Sequence, residues 1–217
     1  MPDPNPYRPV RIKVFIDYWN FQLLMNDSQK KDRISIDWQN VGEWLAKEAS
    51  ATAKKTDYSY EGTNIYTSHN PKKEADSYYK WVRNWLNKQP GIQAYCLERQ
   101  TKQAPACPVC HKPVDNCPHC RGAMIGTIEK GVDTLIVTDM IRLAWEDAYD
   151  IAVLASSDRD LIPGVKFLDA KGKKVVQAGF PPIGSDLAQA CWASFAIPPK
   201  AKEVIRPERP AVTKAGR

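Results

Sequence analysis

The stretch Asp150-Ile-Ala-Val-Leu-Ala-Ser-Ser-Asp-Arg-Asp160 constrains the fold of this chain more than any other. Ile151 to Ala155 is an apolar run of strand character that stops at two serines and two aspartates, and Leu161 to Leu168 then reads as a helix. A strand that ends in carboxylates and feeds a helix puts those carboxylates at the carboxyl edge of a parallel sheet, where open α/β folds hold their ligands. Arg11-Ile-Lys-Val-Phe-Ile-Asp17-Tyr-Trp-Asn20 repeats the arrangement near the start. Two strand-end aspartate clusters in one chain point to a divalent-cation site.

Strand and helix patterns alternate from residue 11 to residue 197. Strands are expected at Arg11 to Ile16, Thr63 to Thr67, Ile92 to Leu97, Asp150 to Ala155, Lys174 to Gln177 and Phe195 to Ile197. Between them fall helical patterns at Asn20 to Asn26, Trp38 to Ala49 with Asp37 as its N-cap, Glu74 to Lys88, Thr127 to Trp145, Leu161 to Ala170 and Ser185 to Ala190. Such alternation predicts a three-layer α/β/α fold with a mainly parallel central sheet. The pattern breaks between Arg99 and Gly122, and no internal repeat is apparent. Residues 1–10 read as an extension, 11–197 as the domain with residues 99–122 inserted, and the basic, proline-rich residues 198–217 as a disordered tail.

A chain of 217 residues suits one sizeable core with a small attachment. No apolar stretch has the length of a membrane span, and the start lacks the basic and apolar regions of a signal peptide. A cytoplasmic location is therefore expected, with metal-bound or free cysteines rather than disulfides. The net charge of +6 favours a polyanionic partner, since phosphate contacts release counterions.

The segment Glu129-Lys130-Gly131-Val132-Asp133-Thr-Leu-Ile-Val-Thr-Asp139 sets two aspartates among apolar residues, a costly placement unless a cation or hydrogen-bond donors face them. Six residues apart on a helix, Asp133 and Asp139 differ in direction by roughly 120°. They are not expected to share one cation. Asp133 is the better ligand, and Asp139 is suited to orienting its neighbours.

Phe-Ile-Asp17-Tyr-Trp-Asn20, Lys130-Gly-Val-Asp133, Val-Thr-Asp139 and Ser-Ser-Asp158-Arg-Asp160-Leu-Ile-Pro together resemble the motifs of NYN domains, within the PIN-like nuclease superfamily and nearest its bacterial LabA-like group. The resemblance covers residues 11 to 197. It implies a metal-dependent ribonuclease in which Asp17, Asp133, Asp158 and Asp160 bind Mg²⁺ or Mn²⁺ and are catalytic. Asn20 would accompany Asp17 at the metal or the substrate, and Lys130 and Arg159, flanking these ligands, are candidates for phosphate contacts. The chemistry agrees: hard divalent cations take oxygen ligands, activate water and neutralise charge on a phosphodiester. The bland reading of any single strand-end aspartate is a cap or turn, and Asp160 is placed to cap the helix from Leu161.

Cys107-Pro-Val-Cys110 and Cys117-Pro-His-Cys120 are two Cys-x-x-Cys knuckles separated by six residues. Paired knuckles suit a structural, tetrahedral Zn²⁺ bound by Cys107, Cys110, Cys117 and Cys120. Arg99, Lys102, Lys112 and Arg121 surround them and could grip substrate. Cys96 and Cys191 read as core residues, as do Trp38, Trp81, Trp85 and Trp145 on helical apolar faces. Tyr18 and Trp19 follow Asp17 directly, so one of them could stack on a nucleobase while the other packs inward.

The expected function is metal-dependent hydrolysis of RNA, single-stranded or structured. A membrane partner is not expected, and a homodimer stays open. The alternative is a non-catalytic nucleic-acid-binding or regulatory module on the same fold. A haloacid-type phosphohydrolase needs an Asp-x-Asp pair after the first strand, and Asp17 is followed instead by Tyr18 and Trp19.

Overall fold

The computed structural model describes residues 8–71 and 77–207. Its strands are β1 (Val10–Asp17), β2 (Tyr58–His69), β3 (Ile92–Glu98), β4 (Gln100–Lys102), β5 (Gly126–Ile128), β6 (Ile151–Ala155), β7 (Lys174–Gly179) and β8 (Ala193–Ala196). Its helices are α1 (Tyr18–Ser28), α2 (Val41–Thr52), α3 (Ser77–Asn84), α4 (Val132–Trp145), α5 (Ile162–Ala170) and α6 (Ser185–Ala190). Six strands form one sheet in the order β3-β2-β1-β6-β7-β8, and every neighbouring pair is parallel.

Alternation along β1 sorts its side chains into two cores. Ile12, Val14 and Ile16 join Phe21 and Met25 of α1, Val41 and Leu45 of α2 and Val82 of α3 on one face. Phe15 points the other way, to Val132, Ile136 and Met140 of α4, Val165 and Leu168 of α5 and Leu187 of α6. A strand covered on both faces reads as a near-continuous apolar run, which is why β1 and β6 were legible as strands. The result is the expected three-layer α/β/α architecture. Among the described residues, no helix is long and apolar enough to cross a membrane.

Several elements depart from the pattern read in the sequence. Asp37 does not cap α2. The helix begins three residues past Trp38 with Asn40 as its N-cap, while Asp37 accepts the backbone N–H groups of Asn40 and Val41 at its carbonyl and pairs with Arg206 at 3.2 Å. The helix expected over Glu74 to Lys88 runs as α3 and a 3-10 turn at Leu86–Lys88, and residues 74–76 lie outside the described residues. Helix α4 starts at Val132 rather than Thr127, because Gly131 takes a left-handed backbone (φ 87°) that ends the preceding segment. The inserted segment is wider than expected, since β4 and β5 pair antiparallel at its base.

Part of the supposed tail is folded onto the domain. Pro198–Val204 forms a 3-10 helix with Ala201 and Val204 buried, and Ile205 bridges to Ile36. Residues 208–217 lie outside the described residues. The extension likewise reaches the fold, with Arg8 3.1 Å from Asp150 and Val10 already in β1.

Candidate active site

In this strand order the chain leaves β1 towards β2 on one side and enters β6 on the other, so the crevice between the ends of β1 and β6 is the topological switch point of the sheet. Asp17 is the last residue of β1. Ser156, Ser157 and Asp158 follow the end of β6. The two strand ends are tied directly: the Ser156 hydroxyl donates to Asp17 Oδ2 at 3.3 Å, and the Ser157 N–H donates to Asn20 Oδ1 at 2.9 Å. Asp17 also caps α1 by accepting the Asn20 N–H at 3.3 Å. Asn20 is therefore a brace between loops rather than a helix cap. Gly184 closes against this loop. With φ 78°, a Cβ there would lie 2.7 Å from the Ser157 Cβ.

Asp158, not Asp160, is the capping residue. Its Oδ1 accepts the Asp160 N–H at 2.9 Å at the start of the 3-10 turn Arg159–Leu161. Asp158 itself is steadied by the Ser156 hydroxyl, which accepts its N–H at 3.1 Å. Asp133 sits half-buried in the first turn of α4, and Asp160 and Arg159 are exposed. The Ser157 hydroxyl is buried without a hydrogen-bond partner among the described residues.

The electrostatics link these carboxylates. Burial pushes the Asp17 carboxyl up to about 7, with Glu129 and Asp133 adding repulsion, while the Asn20 N–H and Ser156 hydroxyl pull it back. Burial also raises Asp133, reinforced by Asp158, Glu129 and Asp160. None of the five carboxylates forms an ion pair among the described residues. Two carboxyls, Asp17 and Asp133, raised by burial and by the acids around them present the chemistry a hard divalent cation relieves. The spacing of the five is open: among the described residues, no three of them, and no three cysteines, lie close enough to share one ion.

Glu129 joins this set although the sequence reading passed over it. It follows β5 in the loop before Gly131 and accepts a hydrogen bond from the Ser68 hydroxyl. Ser68 in turn accepts the Arg99 Nε at 2.9 Å on its hydroxyl, and the Trp19 indole N–H at 2.8 Å on its carbonyl. The signal was the motif Glu129-Lys-Gly-Val-Asp133, hidden by placing both acids on one helix. Exposed Lys130 follows Glu129. Asp139 is not part of the cluster: it is buried against the sheet, accepts the Tyr66 hydroxyl at 3.0 Å, and pairs with Arg142 at 3.1 Å.

The cysteine segment rises from the β4–β5 pair as a ten-residue repeat, a correction to the repeat-free reading. Cys107 N–H donates to the Lys112 carbonyl and Cys117 N–H to that of Gly122, both at 2.8 Å; His111 and Arg121 then turn through positive φ of 58° and 56°. In each knuckle, N–H groups of the second cysteine and the residue before it hold the first thiol below its ordinary value. None of the six cysteines forms a disulfide among the described residues, and Cys96 and Cys191 are only partly buried, Cys96 lying 3.5 Å from His69 Nδ1. Tyr18 is buried and stacks on Trp38 at 4.9 Å, whereas Trp19 is half-buried.

The family model for the NYN domain matches residues 11–197. This chain belongs to the NYN domain family. NYN domains are nuclease-like and fall in the PIN-like nuclease superfamily, whose domains typically use divalent metals. The fold of this NYN domain is also that of a protein of unknown function from Vibrio parahaemolyticus RIMD 2210633, whose crystal structure matches with a TM-score of 0.56 at 15% identity, over 93% of this chain and 99% of that one. A stretch of 54 residues is 44% identical to the uncharacterized protein y4oD of Sinorhizobium fredii (strain NBRC 101917 / NGR234). That match spans 25% of each chain.

Proposed function

We propose that this NYN domain is a ribonuclease that hydrolyses RNA phosphodiester bonds with the help of Mg²⁺ or Mn²⁺. The observation that carries the reading is the set of acidic side chains around the switch point, none of them ion-paired among the described residues, in which burial and the neighbouring carboxylates raise the proton affinity of Asp17 and Asp133. Asp17, Asp133, Asp158 and Asp160 would draw together around the cation to hold it, since their spacing is open without it, and are the catalytic residues on this reading. When bound, the cation supplies an activated water and offsets charge building on the phosphodiester. The chain's own residues do the rest. Ser156 and Asn20 fix the two strand ends, and the loop from Ser156 to Asp160 holds Asp158 within electrostatic reach of Asp133. Lys130 and Arg159 are exposed beside these acids and suited to gripping phosphates.

A second reading is a binding or regulatory module, favoured by the open spacing of the carboxylates. RNA affinity, measured with and without Mg²⁺, distinguishes the two. On the nuclease reading RNA binds weakly in EDTA, because carboxylates repel phosphates, and Asp158→Asn raises that affinity while abolishing turnover. A binding module would hold RNA through basic surfaces, lose affinity with salt and respond little to Asp158→Asn.

The repeated knuckles support a structural Zn²⁺ on Cys107, Cys110, Cys117 and Cys120, which requires the two cysteine pairs to close on each other. Elemental analysis of freshly purified, reduced protein should find about one zinc per chain. Zinc-free protein of unchanged stability would remove this assignment.

A further inference from the structure

Beside the acidic cluster, a row of aromatic rings runs away from it along a groove. Trp19, two residues after Asp17 in the first turn of α1, stands at the head. Tyr78 lies 5.2 Å from Trp19, Trp81 lies 5.8 Å from Tyr78, and Trp85 stacks on Trp81 at 5.7 Å with an interplanar angle of 18°. A guanidinium closes each end: Arg99 is 5.3 Å from the Trp19 ring and Arg206 is 5.4 Å from the Trp85 ring. Tyr78 and Trp81 lie on one side of α3, and Trp85, one residue past its end, continues the helical spacing with its N–H bonded to the Trp81 carbonyl at 3.0 Å, so the three form a stripe.

This stripe packs against the core without being covered by it. All four rings of the row are only half-buried, above a floor of buried Tyr18 and Trp38. The groove they line encloses about 1310 Å³, above the roughly 300–1,000 Å³ of ordinary small-molecule sites. Leu23 on its rim is 54% exposed. Arg33, Arg206 and Asp32 line it, with Arg206 also paired to Asp37 outside the lining. The indole N–H of Trp19 and the hydroxyl of Tyr78 are tied to Ser68 and to Thr67, at 2.8 Å and 2.6 Å, so these rings are held in place with little entropy left to lose.

We propose that this groove binds single-stranded RNA by stacking its bases on the Trp19–Tyr78–Trp81–Trp85 row, delivering the adjoining phosphate to the acidic cluster. Aromatic faces accept any base, and arginines at the ends suit the backbone between them, so the site would be tolerant of sequence. The inference rests on the nucleic-acid reading above but not on cleavage.

The test compares binding, in EDTA so that nothing is cut, of a labelled 12-nucleotide single-stranded RNA and an abasic oligonucleotide of equal length and charge. The abasic strand should bind about tenfold weaker or worse. Trp85→Leu and Leu23→Glu should each bring RNA down to the abasic level, while Trp85→Phe keeps most of the affinity. Leu23→Glu, on the exposed rim, guards against a loss caused by misfolding. Equal affinity for the two strands, or wild-type binding by both Trp85→Leu and Leu23→Glu, overturns the proposal even if RNA is cleaved with metal. Absence of any RNA binding overturns it too, and tryptophans shielded from acrylamide would then make residues 208–217 of the chain the occupant. Base-dependent binding without cleavage in Mg²⁺ keeps the groove and removes the nuclease.

Discussion

Asp17→Asn and Asp158→Asn are each expected to lower RNA cleavage by about 100-fold or more, since a cation's stabilisation of transition-state charge amounts to several kcal/mol and each ~1.4 kcal/mol is tenfold in rate. Both variants should fold. Asparagine serves as well as aspartate at an N-cap, so the bond from the Asn20 N–H to residue 17 and that from the Asp160 N–H to residue 158 both survive. At residue 158 only the charge is lost; at residue 17 the amide NH2 also faces the Ser156 hydroxyl, which must accept rather than donate. Glu129→Gln belongs in the same series, because Glu129 faces the cluster from the loop before α4 and raises Asp17. Near-wild-type cleavage by Asp17→Asn and Asp158→Asn, with contaminating nuclease excluded, would contradict the assignment of these residues.

The metal-free protein should become less stable as pH rises through the titration of Asp17. Its carboxyl goes from an ordinary value of 3.8 to about 7 on folding. Below pH 4 the group is protonated whether the chain is folded or not, and it costs nothing. Between pH 4 and 7 the unfolded chain has released the proton while the folded chain keeps it, so stability falls with rising pH. Above pH 7 the penalty is complete, with a ceiling of about 4 kcal/mol at ~1.4 kcal/mol per pH unit. In EDTA at pH 8, Asp17→Asn should therefore melt roughly 5–10 °C above wild type, and near pH 4 the two should coincide. Mg²⁺ should recover much of the difference in wild type and leave the variant unmoved. An Asp17→Asn protein that melts lower than wild type at pH 8 would mean that the buried charge is already compensated within the chain.

How far the fold was legible depended on how local each signal was. Strands β1 and β6 announce themselves by apolar runs that stop at polar residues, because both faces are covered and only the carboxyl edge meets water. Asp17 and Asp158 were readable for the same reason. Glu129 was not, since its place depends on Gly131 breaking the chain before α4 and on Ser68, which comes from β2. Asp139, set aside as a cation ligand by its direction on the helix, has as its neighbours the Tyr66 hydroxyl across the sheet and Arg142 one helical turn on, partners the sequence did not name. Periodicity identified the aromatic face of α3 but carried no information about whether another layer would cover it. The same limit explains Trp145, which helical spacing assigned to the core and which is 83% exposed. Composition made residues 198–207 look unstructured, although Ala201 and Val204, three apart, are enough to seat that turn on the domain.

The central claim is that the gathered carboxylates hold a cation that cuts RNA. It is met most directly by incubating the purified protein with end-labelled RNA in Mg²⁺, in Mn²⁺ and in EDTA, with Asp158→Asn in parallel. Cleavage by wild type in either metal, none in EDTA and none by Asp158→Asn is the predicted result. Intact RNA in both metals, or cleavage that persists in EDTA or in Asp158→Asn, would contradict it.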